Sequence, residues 1–293
     1  MEITASQVKE LREKTGIGMM ICKEALIKAN GDMELAIEDL RKQGQATAAK
    51  RAGKAAKEGK VSIVMDAAAA MVYEVNAETD FVAKNEDFVA FIDSLGKILL
   101  AQKPADHAAA LKLSDASIGS ITVEAKVTEL VGKIGEKIEF RRYRKMAADP
   151  SKEKCFSYIH GGGKIGVLIK IAASAPGALE SAEVAELGKD LAMQIAAARP
   201  AAVDPSSIPA EVIAKEKEIY AAQAKESGKP EKVWDKMIEG KLTKYFEEFT
   251  LVNQKFIRDT EVVVKDRIAA VAKAVGADVK PVEFFRLELG ESD

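Results

Sequence analysis

Residues that often carry out chemistry in proteins are few in this sequence and lie far apart. The cysteines Cys22 and Cys155 form no CxxC pair, and neither has a histidine at metal-ligand spacing, so we expect no metal site. The histidines are His107, in a predicted loop, and His160, at the end of a predicted strand. Carboxylates scattered without a histidine partner do not define a catalytic set. The residue types therefore favour a protein that binds a partner, is not an enzyme and needs no cofactor.

The glycine run Gly161-Gly162-Gly163-Lys164 has some similarity to a phosphate-binding loop. It lacks the GxxxxGK[ST] spacing, and it joins two predicted strands, whereas a P-loop joins a strand to a helix. GxSxG and HExxH patterns are also absent from the sequence. We interpret the run as a hairpin turn.

Length and composition indicate a globular protein of about two domains. Of the 293 residues, 47% are hydrophobic and 31% are charged, which is typical of folded soluble proteins. The net charge of −2 provides no global attraction to nucleic acid or to anionic membranes. No apolar run approaches the roughly 18 residues of a membrane span, and the first residues do not resemble a signal peptide. We therefore expect a cytoplasmic protein that binds neither membrane nor nucleic acid.

Residues 1–45 predict a compact unit of three helices. Thr4 and Gln7 form a capping box that begins the first helix, and the glycines of Thr15–Gly18 end it. A second helix spans about 19–29, and Asp32 caps a third that we expect to end at Gly44. Its apolar stripe consists of Leu35, Ile37 and Leu40. Because so short a domain is only marginally stable alone, it suits a docking module.

Residues 46–60 are basic, with lysine and arginine interspersed among alanine and glycine. We interpret this segment as a solvated linker that is partly helical. Nucleic-acid contact is the alternative, but no aromatic residue lies between the charges to stack on a base.

The rest of the chain predicts an α+β core made of two similar subdomains, at 61–150 and 151–208. In each, two strands are followed by an amphipathic helix: strands 61–65 and 71–75 precede a helix from Asn85, and strands 155–160 and 165–171 precede a helix over 183–198. A short helix at 123–130 and a strand at 138–144 complete the first subdomain.

Residues 209–249 predict two charged helices joined by the turn Ser227-Gly228-Lys229-Pro230. Such a pair forms an antiparallel helical hairpin, which we expect to project from the core as a coiled coil. Residues 250–293 then return to the second subdomain with a helix over 264–275 and a strand over 282–289.

Four blocks of sequence, in the right order, resemble the bacterial type of translation elongation factor Ts. They are Leu11–Leu26, Val75–Asn85, His160–Leu168 and Leu191–Ala197. Four ordered matches spread along the chain are far more specific than any one motif. The resemblance implies a UBA-like N-terminal module, the α+β core and the projecting hairpin, which is linked to self-association in some members. It also implies that elongation factor Tu, a GTPase, is the partner, and that the protein promotes exchange of its guanine nucleotide.

The resemblance assigns the central role to the loop Thr79-Asp80-Phe81-Val82. In the family, the Asp-Phe pair enters elongation factor Tu near its nucleotide-associated Mg²⁺. Pattern alone favours a simpler reading, in which Asp80 lies near a helix start and Phe81 folds inward.

The resemblance also implies further partner contacts outside this loop. They are Arg12, Met19, Met20, Ile134, Gly135, His160 and Ile257. By pattern alone, Met19 and Met20 are more typical of a core than of a contact surface. The resemblance leaves open a homodimer through the hairpin.

The sequence departs from the family pattern in three places. Ile21 replaces an acidic residue, Lys255 stands where proline is common, and many relatives continue past Gly290 with a helix that packs on the partner. We expect a lower affinity than in those relatives. The rival function is a scaffold or RNA-associated adaptor built on the N-terminal module and the basic linker, and an enzyme is the third alternative.

Overall fold

A computed structural model describes residues 3–292 of the chain. Met1, Glu2 and Asp293 lie outside the described residues. The chain begins with three helices, α1 (Ala5–Thr15), α2 (Met19–Lys28) and α3 (Met33–Arg51). The capping box predicted for α1 is confirmed, because Gln7 N donates to Thr4 Oγ1 over 3.2 Å and Thr4 N donates to Gln7 Oε1 over 3.0 Å. A small apolar core, which includes Leu11, Cys22 and Leu26, holds the three helices together.

Helix α3 does not end at Gly44, as the sequence predicted, but continues to Arg51 into the basic segment. Gly44 is a buried packing residue and not a helix terminus: a Cβ built on Gly132 would lie only 2.6 Å from Gly44 Cα. The alanines that follow are good helix formers and propagate the helix. A second difference is Leu35, which was expected in the apolar stripe but is 51% exposed.

The core is α+β, as predicted, and consists of two similar units. The first contains β1 (Glu58–Met65), β2 (Ala69–Ala77), α4 (Asp80–Ala83), α5 (Glu86–Gln102), α6 (His107–Leu111), α7 (Val123–Ile134) and β3 (Ile138–Ala147). Its antiparallel sheet has the order β1-β2-β3. The apolar face of α5, led by Phe88, Ile92 and Leu95, packs against this sheet. His107 begins α6 and contacts Phe140 O over 2.8 Å, so its predicted place in a loop is wrong.

The second unit repeats this arrangement with a different set of helices. It contains β4 (Glu153–His160), β5 (Ile165–Ala173), α8 (Ala182–Ala198), β6 (Lys255–Phe256), β7 (Asp259–Val263), α11 (Val264–Val275) and β8 (Val279–Glu288). Its antiparallel sheet has the order β4-β5-β8. In both units the second strand is central and carries a register shift, between Glu74 and Val75 and between Lys170 and Ile171.

The two sheets pack against each other through a shared layer of apolar side chains. This layer consists of Val61, Ala70, Val72, Met146, Cys155, Leu168 and Leu287, all buried. Since each sheet has helices on its other face, its central strand is covered on both sides: β2 is buried along its whole length and β5 at most of its residues.

Between α8 and β6 the chain forms the helical hairpin of α9 (Ala210–Glu226) and α10 (Trp234–Phe249). The two helices pack on each other, but Ala224 and Leu242 are their only fully buried residues among those that the structure describes. Val212 and Ile219 keep 37% and 41% of their surface exposed.

Burial gives Cys155 a testable chemical property. Its thiol is 5% exposed, and burial raises its pKa to about 11, although the charge of Lys170 partly opposes this shift. At pH 8 the thiolate fraction is then about 100-fold lower than for an ordinary thiol. We expect iodoacetamide to alkylate Cys155 at least about 100-fold more slowly in the folded protein than in urea, and faster as the pH rises toward 11. Mass spectrometry measures both rates; equal rates would contradict the burial.

Candidate partner-binding site

The loop Thr79–Val82, which we call the candidate exchange loop, begins one turn of helix, α4, just after strand β2. Thr79 is its N-cap, with extended backbone angles, and its side chain accepts from Val82 N. Val82 is buried in the core, which holds the turn from below. Phe81 is 80% exposed, the largest value among the large apolar side chains that the structure describes. The inward-facing alternative for Phe81 is therefore wrong.

Two carboxylates hold this turn in place from either side of the Glu78–Thr79 peptide. Glu136 accepts a hydrogen bond from Thr79 N over 3.1 Å and from the Thr79 hydroxyl over 3.0 Å. In return, Glu78 accepts from Lys137 N over 2.6 Å, and it pairs with Arg51 at 3.1 Å. The segments 78–79 and 136–137 are thus joined by reciprocal bonds, and Arg51 connects them to the end of α3. We call Glu78 and Glu136 the carboxylate clamp.

Asp80 lies beside Phe81 and carries an exposed negative charge. Its carboxylate pairs with Lys84 Nζ at 2.8 Å, and its side chain is 55% exposed. The hydrogen bond and charge of Lys84 hold the pKa of the Asp80 carboxyl below its usual value. The turn therefore presents an ionised carboxylate and a bare aromatic ring side by side, a combination suited to a partner surface with both a cationic group and an apolar pocket.

Ile134 and Gly135 lie directly before the carboxylate clamp. Ile134 ends α7 and packs half-buried against the core. Gly135 is the C-cap of α7 with φ of 83°, a conformation that residues with a side chain rarely adopt. This turn directs the chain so that the next residue, Glu136, meets Thr79.

Arg12, Met19 and Met20 lie on the surface of the N-terminal module. The side chains of Met19 and Met20 are 46% and 70% exposed, and Arg12 is also exposed. The core reading of the two methionines is therefore wrong. The turn between α1 and α2 contacts α7, because a Cβ on Gly16 would lie 2.4 Å from Lys133 Nζ. This contact places the module next to the end of α7 that carries Ile134, and Arg51 of α3 pairs with Glu78 at the base of the candidate exchange loop.

His160 lies at the same end of the core as the exchange loop. It is exposed, and its Nδ1 is 3.0 Å from the Tyr158 hydroxyl. The glycine turn after it has positive φ at all three glycines, and Val61 N donates to Gly163 O over 2.7 Å. Because α4 packs on the same strand β1, the two loops flank one end of that strand.

Ile257 is 41% exposed in the tight connection between β6 and β7. Its N–H donates over 2.8 Å to Oε1 of Gln194, a fully buried residue of α8. The next residue, Arg258, pairs with buried Asp190 of α8 at 2.6 Å. Ile257 is therefore held by α8 and not by the unit that carries the exchange loop.

Several residues that position the site were not identified from the sequence. They are Arg51, Glu78, Lys133, Glu136, Asp190 and Gln194. Asp190 and Gln194 gave one usable signal, since they are polar residues within the otherwise apolar helix α8. Glu78 and Glu136 gave no such signal, because glutamate is a common residue in this sequence.

Within residues 3–292 no helix has both the length and the apolar character required to cross a membrane. In the same range no group of three or more His, Cys, Asp or Glu side chains is arranged to hold a metal ion.

Comparisons with known proteins agree on one family across nearly the whole chain. A family model described as Elongation factor TS matches residues 78–291. The chain is 46% identical to Elongation factor Ts of Clostridioides difficile over 99% of this chain and 93% of that protein. It is 43% identical to the protein of the same name from Chloroherpeton thalassium, over 99% of both chains, and 46% identical to that of Nitratiruptor, over 99% and 94%. The chain therefore belongs to the elongation factor Ts family of translation elongation factors.

Proposed function

We propose that this protein is the guanine-nucleotide exchange factor of elongation factor Tu, and that it promotes GDP release by inserting the Asp80–Phe81 turn near the partner's nucleotide and Mg²⁺. The observation that carries the proposal is the exposure of Phe81 on a turn that Glu136 and Glu78 anchor at its N-terminal end and that buried Val82 holds against the core. In the free protein the Phe81 ring is 80% exposed, so burial of its apolar surface contributes little to stability. The ring can gain about 1.5–3 kcal/mol on entering an apolar pocket.

The proposed mechanism is displacement without covalent chemistry. A GTPase holds its nucleotide through backbone donors and a lysine around the phosphates and through Mg²⁺, which bridges the phosphate oxygens. Burial of Phe81 offsets the cost of shifting these groups. The ionised and exposed carboxylate of Asp80, the residue before Phe81, competes for cationic groups of the same site. Several charge-assisted contacts to the nucleotide then weaken together.

Exchange by this route is reversible and coupled. The factor by which the bound protein weakens nucleotide affinity equals the factor by which nucleotide weakens the affinity of the protein. Entry of GTP therefore releases the exchange factor, which can then act on another GDP complex. No metal or cofactor of its own is needed in this scheme.

We propose that the remaining contacts hold the partner while the turn acts. Arg12, Met19 and Met20 are exposed on the module, and methionine adapts well to a partner surface. His160, Ile257, Ile134 and Gly135 extend the surface on either side of the turn. We assign the protein to the cytoplasm, and the exposed Val212 and Ile219 of the hairpin support self-association there.

The direct test is release of labelled GDP from elongation factor Tu. Catalytic amounts of this protein should accelerate release in proportion to its concentration, and the two proteins should co-elute without nucleotide and separate when GDP or GTP is added. Unchanged release would exclude the proposal. Tight, strongly salt-dependent RNA binding in the absence of elongation factor Tu would instead favour the adaptor.

Replacing both Met19 and Met20 by alanine should weaken docking without changing the exchange step. We expect Kd for nucleotide-free elongation factor Tu to rise about 10-fold or more, as two exposed contacts of roughly 1 kcal/mol each are lost. The release rate at saturating factor should change less than about threefold. Leu35→Ala, at an equally exposed apolar residue of the same module, is the matched control, and an equal loss there would argue against this docking surface.

A further inference from the structure

The carboxylate clamp joins residues far apart in the sequence at the base of the proposed exchange turn. Glu136 receives both the N–H and the hydroxyl of Thr79, at 3.1 Å and 3.0 Å. Hydrogen bonds to an ionised carboxylate are stronger than those between neutral groups. Thr79 is also the N-cap of α4. Because its hydroxyl proton is directed to Glu136, its oxygen lone pairs are free to face Val82 N.

Glu78 adds a second fixed point on the other side of the same peptide. It accepts from Lys137 N over 2.6 Å and pairs with Arg51 at 3.1 Å, with its side chain only 16% exposed. An isolated helical turn of four residues has little stability of its own. The clamp therefore supplies the order that the short sequence of α4 cannot.

We infer that Glu136, supported by Glu78, is a positioning residue that sets the angle at which Phe81 enters the partner. The inference rests on the proposed exchange function and adds a residue to it. Neither glutamate needs to touch nucleotide or Mg²⁺, since both act through the backbone and hydroxyl of Thr79 and the backbone of Lys137. If the turn were loose, Phe81 would still reach the partner. The conformational entropy lost in ordering the turn would then raise the free-energy barrier of the exchange step. Preorganisation lowers that cost.

The inference predicts a loss in rate with little loss in affinity. In Glu136→Ala, the GDP release rate at saturating factor should fall about 10-fold, since small misplacements of a working group have effects of this size or larger. Kd for nucleotide-free elongation factor Tu should change less than about threefold, because the remaining contact surfaces are intact. Glu136→Gln should recover part of the rate, as an amide oxygen still accepts one bond from Thr79. Glu124→Ala, an exposed glutamate in the first turn of α7, is the control.

Amide hydrogen exchange of the full-length variants shows whether the clamp itself has been opened. Thr79 N–H should exchange faster in Glu136→Ala, while amides of the central strand β2 retain their protection. Normal release in a variant with a deprotected Thr79 amide would overturn the inference. So would parallel losses of rate, affinity and β2 protection, which indicate a structural role only. If Glu136→Ala does not fold, Thr79→Val should lower the release rate and Thr79→Ser should restore most of it, and equal rates in these two variants would also overturn it.

The same assay with Phe81→Ala separates the two proposals. Slow release with Phe81→Ala and normal release with Glu136→Ala would overturn the clamp and leave the exchange function standing. Normal stimulated release with both would overturn the insertion of Phe81 as well, whereas the exchange function itself fails only if the unchanged protein does not accelerate release.

Discussion

Phe81→Ala is expected to slow stimulated GDP release about 10- to 150-fold while the protein stays folded. The ring is 80% exposed, so its removal should change the free energy of unfolding by no more than about 0.5 kcal/mol. The burial it would gain in the partner, about 1.5–3 kcal/mol, corresponds to about 10- to 150-fold in rate if it is expressed in the exchange step. Stopped-flow release of fluorescent GDP at saturating factor measures this change.

The double variant Asp80→Ala plus Phe81→Ala should lose more rate again, and much more rate than affinity. Met65→Ala is the matched control, because Met65 is an exposed apolar residue at the opposite end of strand β1. Equal losses of rate and affinity in the double variant would show that the pair only anchors the complex. A comparable loss of rate with Met65→Ala would show that the effect is not specific to the turn.

Glu74→Ala is expected to have the largest effect on stability. Glu74 is fully buried in β2 and accepts from Arg142 Nε of β3 over 2.7 Å. It also accepts from Gly290 N, just past β8, over 2.9 Å. This one carboxylate therefore connects both units. Removing one member of a buried ion pair costs about 3–5 kcal/mol, and the variant also loses the hydrogen bond from Gly290 N.

Chemical denaturation should show this loss as a lower midpoint in urea. Glu74→Gln keeps the shape and part of the hydrogen bonding, so we expect a smaller loss. Glu211→Ala, at an exposed position in the first turn of α9, should change the unfolding free energy by no more than about 0.5 kcal/mol. A Glu74→Ala protein as stable as the unchanged chain would contradict the role of this network. Below its unfolding transition, the variant should retain stimulated GDP release, which distinguishes it from Phe81→Ala.

The elements that could be predicted were those with a local signal. Apolar periodicity located α5, α8 and α11, and strand-like runs located both hairpins of the core. The turn at Ser227–Pro230 correctly separated the helices of the projecting hairpin. The site turn could be located only by its resemblance to a family, since nothing in the local pattern required Phe81 to face solvent.

The errors occurred where a local signal competed with a distant contact. Gly44 has the residue type of a helix terminus, but it lies within α3 because Gly132 of α7 packs against it. The short strands β6 and β7 had no clear pattern, and Ile257 between them is held by Gln194 of α8.

The order and type of the main elements, and the family to which the chain belongs, are thus properties of its linear sequence, because periodicity, capping residues and motif blocks are all local. Tertiary structure alone decided that Phe81 is exposed, that Glu136 holds Thr79 and that Glu74 joins the two units. The bonds of Glu136 and Glu74 join residues 57 or more positions apart. Their formation depends on how the sheets and helices pack, and no short stretch of sequence records it.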